Sequence, residues 1–143
     1  MWEDRHFTVF VTHFTWPLEH IEDSKWAEPG QVPDLPGSLP ATRQALHAGR
    51  LARFLDDWPA DAVVMGDFNS APWSRVQKAF RAATGLDNPA GWQATWPRWL
   101  PWPLRLPLDH VLARGHLVVT SFAAGPQTDS DHLPVIAEIG WRD

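Results

Sequence analysis

The sequence contains no cysteine and no tyrosine, and it has no long hydrophobic run. Without cysteine the chain can form neither disulfides nor thiolate zinc sites, and it has no thiol nucleophile. A membrane-spanning helix needs roughly 18 consecutive apolar residues, and no segment provides them. The first residues also lack the basic region and apolar core of a secretory signal. Because cysteine is absent, catalytic side chains must act through oxygen or nitrogen atoms.

A basic surface is missing as well. The chain carries 12 Lys and Arg against 17 Asp and Glu, for a net charge of −5. Proteins that bind nucleic acid along its backbone usually present a basic face, so this balance counts against a broad nucleic-acid footprint. The hydrophobic content of 44% is typical of one globular domain, although 14 prolines and 10 tryptophans are unusual in 143 residues.

Hydrophobic patterning predicts five strands. Two of them, residues 7–13 and 62–65, carry apolar side chains on both faces, as strands covered on both sides do. The other three are residues 107–114, 117–122 and 133–141. Two regions outside the strands, residues 16–40 and 87–107, are rich in proline and are predicted to be irregular.

Two amphipathic helices lie between the first three strands. The first is predicted to begin at Thr42 and to end at Pro59. Its apolar side repeats at helical spacing over Leu51, Phe54, Leu55 and Trp58. Its polar side is formed by Arg43, His47, Arg50 and Asp57. The second helix is marked by Trp73, Val76, Phe80 and Ala83, and Gly85 is predicted to end it in a left-handed conformation.

The predicted order β-α-β-α-β-β-β is typical of an α/β fold with one mixed sheet and two helices on one face. Because helices on one face leave the other uncovered, the chain resembles one layer of a larger sandwich. Trp58 and Trp73 fit the core faces of the helices. For Trp16, Trp96, Trp99 and Trp102 in the loops, covering the core is favoured over a stacking or membrane-interface surface.

Polar residues occur where the predicted strands begin or end. The nine residues GDFNSAPWS, 66–74, follow the second strand and supply two of these positions. The complete set is His13, Asp67, Asn69, Asp109, Asp131 and His132. Each alone is most simply a turn or surface residue, because Asp and Asn often bond to their own backbone. Together, carboxylates for a hard cation and histidines for proton transfer suit metal-assisted phosphoester hydrolysis.

Four segments, VTHFTWP, GDFNSAP, LPLDHVLA and DSDHLPV, resemble in order and spacing the last four motifs of the endonuclease/exonuclease/phosphatase superfamily. The resemblance covers essentially the whole chain. It implies a four-layer α/β sandwich and Mg²⁺-dependent hydrolysis of phosphoesters. TWP together with LRLPLDHV further resembles a bacterial branch whose members often carry transmembrane helices before the catalytic domain.

The resemblance implies a role for each matching residue. His132 would be the general base, and Asp109 would orient it. Asp67 and Asn69 would position water and phosphate near the metal, so Asp67 also belongs to the metal site. Asp131 would be a metal-site carboxylate, and His13 would bind phosphoryl oxygens. His6, His20, His47, His110 and His116 match none of the motif positions.

Two earlier motifs of the family, which supply an asparagine and the main metal-binding glutamate, have no counterpart in the chain. We therefore expect residues 1–143 to be the C-terminal half of a catalytic domain, inactive alone and binding Mg²⁺ or Mn²⁺ weakly or not at all. The substrate is left open among DNA, a phospholipid head group and a small phosphate. The expected partners are the upstream half-domain and a second copy joined through the exposed sheet face. The alternative function is a non-catalytic binding module of the same fold.

Overall fold

The structure, a computed structural model, describes residues 5–16 and 43–142. Most of the predicted irregular region 16–40 lies outside the described residues. The strands are β1 (Thr8–His13), β2 (Ala62–Asp67), β3 (Asp109–Arg114), β4 (Leu117–Ala124) and β5 (Val135–Trp141). The helices are α1 (Arg43–Asp56) and α2 (Arg75–Thr84), and a short 3-10 turn spans Trp102–Leu104. The predicted order and the mixed α/β class are confirmed.

The central sheet is mixed and has the strand order β1-β2-β3. β1 pairs with β2 in parallel, and His13 lies opposite Asp67. β2 pairs with β3 in antiparallel, and Asp67 lies opposite Asp109. This register places three of the predicted site residues side by side at one end of the sheet. Among the described residues, no helix is both long and apolar enough to span a bilayer.

Helices α1 and α2 cover one face of this sheet around a core that includes Leu55, Val64, Phe68 and Phe80. The prediction for the apolar side of α1 is wrong in part. Leu55 is buried, but Phe54 and Trp58 are 49% and 42% exposed. Both rings instead pack edge-on against Phe10 of β1. The face of α1 that meets the core is rich in small residues, namely Ala48, Gly49 and Ala52, which a pattern of large apolar residues does not detect.

Helix α2 agrees with the sequence prediction more closely than α1 does. Val76 and Phe80 are buried, and Gly85 ends the helix with a φ of 69°. Trp73, however, precedes the helix and is 52% exposed, so its assignment to the core face is wrong. Ser74 caps the first turn, because its side chain accepts a hydrogen bond from the N–H of Gln77.

Strands β4 and β5 do not extend the central sheet but form a second, two-stranded antiparallel sheet. Val63 of β2 and Val111 of β3 are buried against Leu117, Val119 and Phe122 of β4. The second face of the central sheet, predicted to be open throughout, is therefore covered at β2 and β3. It is open at β1, where Val9 and Val11 are 46% and 79% exposed.

Candidate active site

The site begins where β1 and β2 end together. The Nε2 atom of His13 lies 3.5 Å from Oδ2 of Asp67. Gly66 permits this approach, because a Cβ at this position would lie 1.9 Å from the carbonyl oxygen of Thr12. Its φ of 140° is also one that L-residues with side chains rarely adopt. The glycine of the GDFN segment is therefore required by the close pairing of the two strands.

Asn69 ties the turn after β2 to the end of β1. Its backbone N–H donates to Asp67 Oδ1 at 2.8 Å, and its Nδ2 donates to the carbonyl oxygen of Phe14 at 2.7 Å. The same Nδ2 lies 3.2 Å from Nε2 of His13, which accepts this bond when that nitrogen is unprotonated. Asn69 is 4% exposed and has a positive φ of 47°. This turn therefore positions His13 and is not a simple surface loop.

Asp109 and His132 form the second part of the site. Oδ2 of Asp109 lies 2.8 Å from Nδ1 of His132, which fixes the ring orientation and places the proton on Nδ1. The other ring nitrogen, Nε2, faces Asp67 Oδ2 at 3.8 Å. The loop before β5 is itself fixed, because the N–H of Leu133 donates to the carbonyl oxygen of Thr95 at 3.0 Å. His132 thus turns Nε2 towards the centre of the site.

Asp67 occupies that centre. Burial raises the pKa of its carboxyl group above the ordinary value of 3.8, and the neighbouring Asp109 carboxylate adds to the rise. The N–H of Asn69 and the two histidines, His132 and His13, act in the opposite direction. A cation at this position would offset both the burial and the repulsion between the carboxylates.

Oxygen and nitrogen ligands are available for such a cation. Within the described parts of the chain, one atom each from Asp67, Asp109 and His132 lies within 4.8 Å of the others. Carboxylate oxygens suit Mg²⁺ and Mn²⁺, so Asp67 fits the role of a ligand. Asp109 has one oxygen engaged by His132, which leaves its other oxygen as the second candidate.

The structure does not bring Asp131 into this group. Its Oδ2 instead accepts a hydrogen bond from Nε1 of Trp96 at 3.1 Å, and the residue is exposed. The Trp96 ring lies beside His132, with 6.3 Å between ring centroids, and 5.5 Å from the Trp16 ring. The metal role of Asp131 stays a prediction without a contact to support it.

Three of the four loop tryptophans do not cover the core as favoured. Trp99 and Trp102 are 66% and 62% exposed, and Trp16, in the segment after β1, is 47% exposed. Trp96 is partly buried and is the member of this group that contacts the site. The loop is held at its base by paired backbone hydrogen bonds between Trp96 and Leu106.

Two buried polar residues near the site were not assigned from the sequence. Gln44 of α1 donates from Nε2 to the carbonyl oxygens of Phe68 and Asn69, at 3.1 and 2.9 Å. His110 of β3 donates from Nε2 to the carbonyl oxygen of Ser70 at 2.9 Å. Burial lowers the pKa of His110 below its ordinary value of 6.5, so the ring is neutral at neutral pH. Gln44 could have been noticed as a polar residue between apolar positions of a helix.

Two solved structures from Bacteroides share this fold. An endonuclease/exonuclease/phosphatase from Bacteroides vulgatus matches with a TM-score of 0.56 and 18% identity, over 70% of this chain and 44% of that one. A mannosyl-6-phosphatase from Bacteroides thetaiotaomicron matches with a TM-score of 0.56 and 17% identity, over 76% of this chain and 48% of that one. A mutant beta toxin from Staphylococcus aureus, solved with bound magnesium ions, matches with a TM-score of 0.47 and 16% identity, over 94% of this chain and 52% of that one. The chain thus spans about half the length of each.

No curated protein matches the chain. The sequence profile of the Endonuclease/Exonuclease/phosphatase family matches residues 3–132, which is most of the chain. The mixed sheet, the two helices and the cluster of histidine and aspartate at the strand ends are consistent with that match. The chain therefore belongs to the endonuclease/exonuclease/phosphatase family.

Proposed function

We propose that residues 1–143 carry the general base and the phosphate-binding side of a metal-dependent phosphoester hydrolase, of the phosphodiesterase or phosphatase type. The observation that carries this proposal is the contact of 2.8 Å between Asp109 and His132, with Nε2 of the histidine turned towards Asp67. An imidazole oriented by a carboxylate in this way can act as the proton acceptor of a hydrolysis. Family membership supports hydrolysis as the reaction class.

In the proposed reaction, Nε2 of His132 takes a proton from the water that attacks phosphorus. A new bond forms between phosphorus and the water oxygen, and the bond between phosphorus and the ester oxygen breaks. Asp109 stabilises the imidazolium that forms, without itself taking up the proton. His13 has a side chain that is 75% exposed, so it can reach the phosphoryl oxygens of a substrate, and Asn69 sets its orientation.

Asp67 would hold the divalent cation, Mg²⁺ or Mn²⁺, with Asp109 as the neighbouring carboxylate. When bound, such an ion supplies positive charge against the negative charge that develops on the phosphoryl group. The position of Asp67 supports this assignment, because an oxygen of its carboxylate lies within 4.8 Å of an atom of Asp109 and of His132. The chain's own residues orient the water and the phosphate.

We also propose that the activity belongs to an intact domain of which residues 1–143 are the C-terminal half. The two Bacteroides structures support this proposal, because the chain spans 44% and 48% of their lengths. Asp109 and Asp131 each have an oxygen engaged by a neighbouring side chain. Calorimetry on residues 1–143 should accordingly show Mg²⁺ binding weaker than micromolar, and micromolar affinity would contradict the proposal.

His132→Ala in the intact domain tests the assignment of the base. The rate of hydrolysis of bis(4-nitrophenyl) phosphate should fall by about 10²–10⁴-fold, the usual contribution of a general base. His116→Ala is the matched control, because His116 also contacts an aspartate, Asp61, at 3.1 Å, but outside the site. If both variants hydrolyse the ester at the wild-type rate, His132 is not the base. A non-catalytic binding module predicts instead that the wild type does not hydrolyse the ester.

A further inference from the structure

Gln44 is a buried polar residue in the first turn of α1, with 1% of its surface exposed. A buried primary amide is costly to the fold unless it is hydrogen-bonded. Its Nε2 atom lies 3.1 Å from the carbonyl oxygen of Thr15, 3.1 Å from that of Phe68 and 2.9 Å from that of Asn69. An amide nitrogen has two protons, so these three acceptors share them.

The three carbonyl groups belong to the two segments that build the site. Thr15 follows β1 and lies two positions after His13, whereas Phe68 and Asn69 form the turn after β2. One side chain on α1 therefore holds both segments at once. The same two segments are joined a second time where Asn69 Nδ2 donates to the carbonyl oxygen of Phe14 at 2.7 Å.

We propose that Gln44 is a positioning residue, which rests on the proposed hydrolytic function of the same site. By holding the carbonyl groups of Phe68 and Asn69, its amide keeps Asn69 in the left-handed backbone conformation, with a φ of 47°. That conformation directs Asn69 Nδ2 to Nε2 of His13, at 3.2 Å. Gln44 thus acts on the proposed phosphate-binding histidine through Asn69, without touching it.

The chain supplies a matched control in Gln77 of α2. Gln77 is also 1% exposed, but neither atom of its amide has a hydrogen-bond partner among the described residues. Methionine has nearly the same shape as glutamine and lacks the amide. Gln44→Met and Gln77→Met therefore make the same chemical change at two buried helical positions. Of the two, Gln44→Met removes hydrogen bonds to the segments that build the site.

The first experiment is NMR spectroscopy of the full chain labelled with ¹³C and ¹⁵N. In the wild type, the side-chain amide of Gln44 should show couplings through hydrogen bonds to the carbonyl carbons of Phe68 or Asn69. Gln44→Met should shift the side-chain amide signal of Asn69 and the ring nitrogen signals of His13. Gln77→Met should leave these signals in place. The inference is overturned if wild-type Gln44 exchanges its amide protons as fast as exposed Gln127, or if the two variants affect Asn69 and His13 alike.

The second experiment measures hydrolysis by the intact domain. Gln44→Met should lower kcat by about 10- to 100-fold with a smaller change in KM, because misplaced groups chiefly affect the chemical step. Gln77→Met should keep the wild-type kcat, and equal kcat for both variants would overturn the inference. The NMR readouts do not depend on hydrolysis. An intact domain with no hydrolytic activity would therefore refute the proposed function, and the NMR signals alone would then decide the role of Gln44.

Discussion

At the scale of single residues, the proposed chemistry and the stability of the fold favour opposite protonation states of Asp67. The proposed function needs this carboxylate ionised at the centre of the site. Burial raises its pKa above 3.8, so the folded chain binds this proton more tightly than the unfolded chain does. Below pH 3.8 Asp67 is protonated in both states and has no effect on stability. Stability is then lost as the pH rises through the folded-state pKa, and ionised Asp67 destabilises the fold at neutral pH.

Asp67→Asn should therefore raise the melting temperature at pH 7. The asparagine keeps an oxygen that can accept the bond from the N–H of Asn69, and it removes the buried charge. Differential scanning calorimetry at several pH values would check this. The difference between the variant and the wild type should shrink as the pH falls towards 3.8. A variant that is less stable than the wild type at pH 7 would contradict this explanation of the pKa.

At the scale of elements, the parallel pairing of β1 with β2 brings His13 to Asp67, and Gly66 permits it. Gly66→Ala should destabilise the chain by about 3 kcal/mol or more, since it adds both a collision with the backbone at Thr12 and a strained φ. Gly85→Ala tests the strained φ without a collision. Its φ is 69°, but an added Cβ would meet nothing within 4 Å, so we expect a loss of about 1 kcal/mol.

Urea denaturation of both variants would measure the difference. A cost for Gly66→Ala no larger than for Gly85→Ala would show that close pairing at Thr12 is not required. The ring signals of His13 provide a second observation, because separation of the strands at this end should alter its contact with Asp67.

Also at the scale of elements, part of the fold could be predicted from the sequence and part could not. Strand positions and the order of elements could be predicted, because alternation and short apolar runs directly reflect burial. The buried face of α1 could not, because it depends on Ala48 and Ala52, whose small size lets the helix approach the sheet. The separation of β4 and β5 into a second sheet depends on packing between distant segments, which local patterns do not encode.

The residues of the candidate site were also predicted only in part. The motifs placed His13, Asp67, Asn69, Asp109 and His132 together, and the register of the central sheet brings the first two and Asp109 to one end. The hydrogen bond from Trp96 that engages Asp131 joins residues 35 positions apart, so it could not be read from spacing. The contacts of Gln44 span 24 to 29 positions and were missed for the same reason.

At the scale of the whole molecule, the open part of the sheet is confined to β1, an edge strand of the central sheet. Val9 and Val11 present an apolar surface there, since they are 46% and 79% exposed. In an intact domain we propose that the upstream half covers this surface. In residues 1–143 alone, we propose that a second copy does so with two-fold symmetry.

Light scattering should accordingly show a dimer of the isolated chain at high concentration. Val11→Lys should shift the equilibrium to the monomer, because it places a charge on the open face. Ile136→Lys is the control, since Ile136 is 57% exposed on β5, between Val135 and Ala137, which pack against the core between β4 and the central sheet. A wild-type chain that stays monomeric at every concentration would refute the proposal.

In the proposed reaction, water activated by His132 attacks phosphorus. The most direct test is hydrolysis of bis(4-nitrophenyl) phosphate by the intact domain in H₂¹⁸O with Mg²⁺, followed by mass spectrometry of both products. We expect one ¹⁸O atom in the 4-nitrophenyl phosphate and none in the nitrophenol, with the label appearing about 10²–10⁴-fold more slowly in His132→Ala. Label in the nitrophenol, the same rate in both proteins, or no hydrolysis at all would contradict it.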